Sequence, residues 1–186
     1  MSDYDFIKMQ KKLAKYLDEN RYEHTLGVMF TCASLAMVHG YDLKNAQVAG
    51  LLHDCAKCIP TGKKLKICKK NDIALTKWEE ENEALLHAKV GVYIAKKKYG
   101  ITDPEILNAI RYHTTGKADM TSLEKIVYIA DYIEPGRYTV SYDGSGTSVI
   151  SVDVRSSQRT SYLSLSDPQY NAEEAQFVGL VLEEGT

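Results

Sequence analysis

Apolar side chains recur every three or four residues from about residue 3 to residue 135, which is the period of amphipathic helices. Capping residues, glycines and prolines mark the ends, so we predict six helices, over residues 6–17, 22–39, 43–56, 82–99, 104–115 and 122–134. The lysine-rich stretch between the third and fourth helices contains Pro60 and Gly62 and is predicted as a loop. We therefore expect an all-α helical bundle of about six helices, in a domain over residues 3–137.

The pattern changes abruptly after Arg137. Nine of the twelve serines lie in residues 138–186, and none of the eighteen lysines do. Polar and apolar residues alternate around Asp143-Gly144, which is typical of a β-hairpin, and Asp167-Pro168 is typical of a helix start. We expect residues 138–186 to be a divergent C-terminal segment that contains a hairpin and a helix.

The composition is that of a globular protein without a generally basic surface. Of the 186 residues, 44% are apolar and 26% are charged, and the formal net charge is −2. No stretch has the length and apolar character of a signal peptide or a membrane span. We therefore expect a cytoplasmic protein with no nucleic-acid or membrane partner. Cys55 and Cys58 have the spacing of a redox or zinc site, but no second pair accompanies them, so we interpret them as packing thiols.

The five histidines all lie in the helical part of the chain. His39, beside Gly40 at a predicted helix end, suits a capping position. The other four fall with two aspartates on apolar helix faces, where an unpaired carboxylate is costly to bury and a metal-bound one much less so. We therefore hypothesise that one or two metal ions lie among these six nitrogen and oxygen donors: His24, His53, Asp54, His87, His113 and Asp131.

Asp54 has two carboxylate oxygens and is able to bridge two ions. One ion would take the side chains of His24, His53 and Asp131, and the other those of His87 and His113. This set of nitrogen and oxygen ligands suits iron, manganese, cobalt or zinc without deciding among them. Two ions about 3.5–4 Å apart suit the cleavage of phosphate esters and anhydrides.

The order of these residues resembles the HD-domain superfamily of metal-dependent phosphohydrolases. The segments GLLHDCAK, HTTG and IADYIEPGR are similar to those of its YqeK-like branch, the symmetrical bis(5'-nucleosyl)-tetraphosphatases, over roughly residues 5–137. The resemblance implies an all-helical bundle around a di-iron centre held by the six residues. It also implies that a metal-bound hydroxide cleaves diadenosine tetraphosphate into two ADP.

Several alternatives stay open. They are another HD-type nucleotide phosphohydrolase or phosphodiesterase, a non-catalytic sensor of nucleotides or metals, and a di-iron protein that activates oxygen. The expected partner is a small-molecule dinucleoside polyphosphate or nucleotide, and a homodimer is a further expectation.

Catalytic roles are expected for Asp54 and for Lys57, which follows His53 by one helical turn and suits contact with a phosphate. Arg137 suits bidentate phosphate binding, and Arg111 is a weaker candidate of the same kind. Further substrate-binding candidates at the end of the His113 helix are Thr114, Thr115 and Gly116. These residues also have plainer interpretations: a surface lysine for Lys57, surface salt bridges for the two arginines, and ordinary helix termination for residues 114–116.

The lysines at 63, 64, 66, 69 and 70 are interpreted as a solvated helical face, or as a positive funnel for a polyanion.

The resembling family continues past the EPGR segment with lysine-bearing helices that close the bundle. This chain instead has its serine-rich segment from Tyr138 onward. A change of reading frame or a replaced C-terminus would produce such a break, and this is our hypothesis for residues 138–186.

Overall fold

The computed structural model describes residues 4–134 and the backbone of two strands, residues 151–156 and 159–164. Residues 4–134 contain helices and no strand, which confirms the all-α prediction for this part. In chain order the helices are Phe6–Leu13 (α1), Glu19–Val38 (α2), Leu43–Leu52 (α3), Thr61–Lys70 (α4), Lys77–Glu81 (α5), Leu86–Tyr99 (α6), Pro104–Tyr112 (α7) and Ser122–Ile133 (α8), and a 3₁₀ turn, Glu83–Leu85, precedes α6.

The chain divides into two compact units, Met1–Glu134 and Pro135–Thr186. In the second unit, strands Ser151–Ser156 (β1) and Arg159–Ser164 (β2) pair antiparallel, with Ser151 opposite Ser164. The turn predicted at Asp143-Gly144 and the helix predicted after Asp167 lie outside the described residues.

Capping residues set the helix boundaries where the sequence predicted them. The Asp5 carboxylate accepts a 2.9 Å hydrogen bond from the Lys8 backbone N–H at the start of α1. Thr121 and Glu124 form the predicted capping box at the start of α8. Gly100 ends α6 in the left-handed conformation, with φ at 70°, which glycine adopts without strain.

The loop prediction for the lysine-rich stretch is wrong, because residues 61–70 form α4. Pro60 precedes the first helical residue, where its missing N–H costs nothing, and lysine is a good helix former. The side chains of Lys64 and Cys68 face inward and are buried. With the short α5, this helix brings the number in the described part from the expected six to eight.

Three predicted helices end at least three residues earlier than expected. Helix α1 stops at Leu13 instead of residue 17, and the other two each end beside a predicted metal ligand. Helix α3 stops at Leu52 instead of continuing to residue 56, and His53 begins a tight turn. In that turn the Lys57 N–H donates to the Asp54 carbonyl over 2.8 Å, so the spacing is three residues instead of four. Helix α7 likewise ends at Tyr112, directly before His113.

Helix α2, which carries His24, packs closely against α3, which leads into His53 and Asp54. A Cβ atom on Gly50 of α3 would lie 2.8 Å from the Cys32 sulfur of α2, so only glycine allows this approach. Helix α8 packs on α2, α3 and α7, and α6 packs on α7. The core between them contains fully buried side chains from most helices: Leu13, Val28, Leu51, Leu52, Ile101, Ile106, Ile110, Leu123 and Val127. Among the helices of the described part, none is both long and apolar enough to serve as a bilayer span.

Candidate metal centre

The structure brings all six predicted ligands to one place inside the bundle. They come from five segments: His24 from α2, His53 and Asp54 from the turn after α3, His87 from the start of α6, His113 from the end of α7, and Asp131 from α8. Neighbouring imidazole rings lie 5.4, 5.0 and 5.0 Å apart between centroids, in the order His24, His53, His113, His87. Four of the six residues are at most 3% exposed: His53, Asp54, His87 and His113.

Three of these residues form one half of the centre. Asp131 Oδ1 lies 3.0 Å from His24 Nε2 and 3.6 Å from His53 Nε2. One ligand atom from each residue lies within 4.8 Å of the others, which is close enough for a single ion to bind all three. This group corresponds to the first ion of the sequence prediction.

The other half surrounds Asp54. Its Oδ1 lies 3.1 Å from His87 Nε2 and 3.5 Å from His113 Nε2. Its Oδ2 lies 3.6 Å from His53 Nε2, the ligand of the first group. The two oxygens of Asp54 therefore face the two halves of the centre, as a bridging carboxylate requires.

Three histidines are held in one tautomer by backbone carbonyls. Nδ1 of His53 donates to the Gly50 carbonyl over 2.6 Å, and Nδ1 of His113 donates to the Ile110 carbonyl over 2.7 Å. Nδ1 of His87 makes the same contact with Ala84. Since a carbonyl only accepts, each Nδ1 carries the proton and each Nε2 presents a lone pair to the centre, the arrangement found in metal-ligating histidines.

These lone pairs face other acceptors, which is unfavourable without a cation between them. Within the described residues, His53 Nε2 and Asp54 Oδ1 are buried and make no hydrogen bond. Nε2 of His87 and Nε2 of His113 lie 3.1 Å apart, and the hydroxyl of Thr114, 3.3 and 3.0 Å away, has one proton for the two of them. A buried acceptor without a donor costs about 1–3 kcal/mol. A divalent ion satisfies these atoms together, so the residues present fit a metal.

The electrostatics favour ionised carboxylates at the centre. Burial raises the pKa of Asp54, but the neighbouring imidazoles of His53, His113 and His87 outweigh it and hold that pKa well below its usual range. Burial also opposes ionisation of Asp131, but the nearby His24 and His53 side chains outweigh it and hold the pKa of Asp131 below its usual range. Burial lowers the pKa of His87, which keeps its imidazole neutral and able to bind a metal.

Two residues that contact the predicted ligands were not predicted from the sequence. Glu134 Oε1 lies 2.8 Å from His24 Nδ1 and is buried, and Arg21 Nη1 lies 3.0 Å from Asp54 Oδ2. The sequence did contain a signal for both. Arg21 precedes His24 by three residues and Glu134 follows Asp131 by three, and residues three apart lie on the same face of a helix.

The predicted substrate-binding residues differ in how near they lie to the histidines. Thr114 contacts two of them, and Lys57 is half-buried and close enough for its charge to lower the pKa of His87, after the larger effect of burial. Thr115 is exposed and donates to the Gly116 carbonyl, and Gly116 ends the turn with φ at 61°. The guanidinium of Arg111 is exposed and lies over the Tyr112 ring at 5.5 Å. Arg137 lies outside the described residues.

Lys64 departs from the expectation of a solvated lysine face. It is 6% exposed, and burial followed by the charge of Lys57 lowers its pKa below the ordinary value. Within the part of the chain that the structure describes, its ammonium makes no ion pair. The negative charge of Asp54 opposes that lowering but does not outweigh it.

Comparison with known proteins decides the family. The sequence pattern of the HD domain matches residues 21–136, which is more than half of the chain and includes all six residues. The chain belongs to the HD domain family. An HD domain implies divalent metal binding, and the His and Asp groups described above are able to hold such an ion.

Relatives of this HD domain include two bacterial enzymes and one solved structure. The chain is 45% identical over 121 residues to a protein of Bacillus subtilis named symmetrical bis(5'-nucleosyl)-tetraphosphatase, covering 65% of this chain and 64% of that one. It is 42% identical over 132 residues to the protein of the same name from Staphylococcus aureus, covering 70% and 68%. A crystal structure from Clostridium acetobutylicum, described as a predicted HD superfamily hydrolase involved in NAD metabolism, is 45% identical with a TM-score of 0.70, covering 77% and 74%. The chain thus spans about two thirds of the length of the curated relatives it matches.

Proposed function

We propose that this HD domain is a metal-dependent hydrolase that cleaves diadenosine tetraphosphate symmetrically into two ADP. The names of the two relatives support the substrate and the symmetrical cut. The observation that carries the proposal is the position of Asp54, whose two oxygens face imidazoles of two separate groups. We further propose His24, His53, Asp54, His87, His113 and Asp131 as the ligands, and iron as the metal, with manganese, cobalt and zinc as alternatives.

Divalent ions at such a centre supply a nucleophile from water at neutral pH and offset the negative charge that develops on phosphate oxygens. The chain supplies the geometry. The carbonyl contacts of His53, His87 and His113 fix the direction of each Nε2.

In the proposed reaction, a water oxygen bonds to the second phosphorus of the chain. The bond from that phosphorus to the oxygen shared with the third phosphate breaks, and the electron pair leaves with that oxygen. One ADP departs with the shared oxygen and the other carries the oxygen from water, while the water protons pass to solvent. We propose that the ammonium groups of Lys57 and Lys64 offset the charge of the phosphate chain, and that the Thr114 hydroxyl, which lies beside His87 and His113, contacts a phosphate oxygen. A contact from Arg137, a homodimer and a cytoplasmic location stay predictions.

The test is product analysis after the protein is loaded with Fe²⁺ or Mn²⁺. We expect two ADP from each diadenosine tetraphosphate and, in ¹⁸O-labelled water, one labelled oxygen in one of the two ADP molecules. AMP plus ATP as products, or no hydrolysis by the metal-loaded protein, would overturn the proposal.

A matched pair of variants separates this activity from a contaminant. His53→Asn removes a buried ligand, whereas His39→Asn changes an exposed histidine at the end of α2. We expect the first to lose hydrolysis and the second to keep it. NAD serves as a second substrate in the same assay, since the Clostridium hydrolase is described as involved in NAD metabolism.

A further inference from the structure

We infer that Glu134 is a positioning residue for His24, and that position 27 is a glycine because the Glu134 carboxylate occupies the space beside it. This inference rests on the proposed metal centre. It assigns roles to two residues that touch no reacting atom but decide how one ligand is presented.

His24 differs from the other three histidines in how its Nδ1 is held. His53 and His113 lie directly after the last residue of a helix, where a carbonyl three residues earlier is free to accept, and His87 donates to the Ala84 carbonyl in the 3₁₀ turn before α6. His24 lies inside the twenty-residue helix α2, and the corresponding carbonyl, that of Arg21, already accepts from the Thr25 hydroxyl over 2.8 Å. A histidine in mid-helix therefore needs a partner from elsewhere in the fold.

Glu134 provides that partner. Its carboxylate is 2.8 Å from His24 Nδ1, and the residue is only 2% exposed. Its backbone N–H donates to the Ala130 carbonyl over 3.0 Å, so the end of α8 fixes where the side chain starts. A carboxylate that accepts from Nδ1 directs the Nε2 lone pair toward Asp131, which is 3.0 Å away on the other side of the ring.

Gly27 is the second, independent observation. It lies three residues after His24 on the same face of α2, and a Cβ atom there would stand 2.3 Å from Glu134 Oε2. The Glu134 carboxylate is buried and already bonded to His24, so it could make room for a Cβ atom only by giving up that hydrogen bond. A glycine inside a helix lowers stability by about 0.5–1 kcal/mol relative to alanine. The close approach of Glu134 explains why the helix carries one here.

Loss of the Glu134 contact should weaken the binding of only one of the two ions. A histidine whose Nδ1 donates to a carboxylate is a more basic ligand, and loss of such a partner typically weakens metal affinity about 10- to 100-fold. His24 belongs to the group with His53 and Asp131, and the group around Asp54, His87 and His113 does not contain it. The structure thus predicts that Glu134 controls the ion in the His24 group and leaves the other ion in place.

The experiment measures Mn²⁺ binding to the full chain by equilibrium titration, with circular dichroism and thermal melting as checks on folding. The variants are Glu134→Ala, Glu134→Gln and Gly27→Ala. The matched control is Glu124→Gln, which changes a buried glutamate in the first turn of α8 that pairs with Lys117 over 2.9 Å and touches none of the six ligand residues in the contacts described.

We expect Glu134→Ala to bind one Mn²⁺ with wild-type affinity and the other about 10- to 100-fold more weakly. Gly27→Ala should reproduce that loss by displacing the carboxylate, and the double variant should lose no more than either single one. Glu134→Gln keeps an accepting oxygen and should lose less than Glu134→Ala, while Glu124→Gln should bind both ions normally and only melt earlier.

Wild-type affinity for both ions in folded Glu134→Ala overturns the inference. If that variant does not fold, wild-type affinity in Gly27→Ala overturns it instead. A wild-type protein that binds no Mn²⁺ contradicts the proposed function itself, so the two failures are distinguishable.

Discussion

Asp54 Oδ1 lies 3.1 Å from Nε2 of His87, and both are acceptors, because Nδ1 of His87 donates its proton to the Ala84 carbonyl. Two acceptors held this close inside a protein repel unless a cation or a proton lies between them. Burial lowers the pKa of His87, which disfavours the proton. The contact between these two residues therefore favours a metal ion. Since the other oxygen of Asp54 faces His53, the same carboxylate connects the two halves of the centre.

The first prediction concerns this bridge. Asp54→Asn keeps the size of the side chain but removes its charge and one accepting oxygen. We expect loss of both ions by elemental analysis, and a fall in turnover of more than about 100-fold, since even partners behind the ligands are worth 10- to 100-fold. Asp119→Asn, an exposed aspartate between α7 and α8, is the control. Full turnover by metal-free Asp54→Asn would rule out the proposed reaction.

The second prediction separates two neighbouring threonines. The Thr114 hydroxyl contacts Nε2 of both His87 and His113, whereas Thr115 is exposed and bonds only to the Gly116 carbonyl in the described structure. We expect Thr114→Val to lower kcat about tenfold, equivalent to about 1.4 kcal/mol, and Thr115→Val to change it little. Steady-state kinetics on both variants measure the difference. Equal kinetics would place the Thr114 hydroxyl outside the reaction.

The third prediction concerns the buried lysine of α4. Lys64→Met removes the ammonium and keeps the apolar stem, and Lys63→Met makes the same change at an exposed neighbour. We expect KM for diadenosine tetraphosphate to rise about tenfold in Lys64→Met only. The same variant should melt at a higher temperature without substrate, because a largely buried ammonium near a second lysine is unfavourable. An unchanged KM would return Lys64 to a purely structural role.

The fourth prediction tests the packing of α2 on α3. Gly50→Ala would place a methyl group 2.8 Å from the Cys32 sulfur and 3.0 Å from the Met29 Cα, so we expect a loss of about 1–3 kcal/mol in the free energy of unfolding. Gly62→Ala in α4 meets no described atom within 4 Å and should be neutral or slightly stabilising. Urea denaturation gives both values. A Gly50→Ala protein as stable as wild type would show that the two helices are free to separate.

Much of the fold was predictable because its boundaries depend on local signals. Asp5, Thr121 with Glu124, and Gly100 each act within one turn of their own helix, and the structure places helix ends at all of them. The metal ligands were also suggested locally, as polar residues on apolar stripes. The lysine-rich α4 was missed because Pro60 and Gly62 suggested a loop, and its buried face became visible only against α6.

The contacts that hold the ligands depend on tertiary structure and were not predictable. Glu134 is separated from His24 by 110 positions, and only the packing of α8 on α2 places its carboxylate at 2.8 Å. The ends of α3 and α7 beside His53 and His113 also went unpredicted, because the apolar period continues past them. Those ends free the carbonyls that fix the tautomers.

The most direct test is anomalous diffraction from crystals of the full chain soaked in Mn²⁺, at wavelengths on either side of the metal edge. We predict two peaks about 3.5–4 Å apart. One should lie between His24, His53 and Asp131, the other should lie near His87 and His113, and Asp54 should lie between the peaks. A map with no peak within ligand distance of Asp54 would contradict the central claim that these side chains form a shared metal centre.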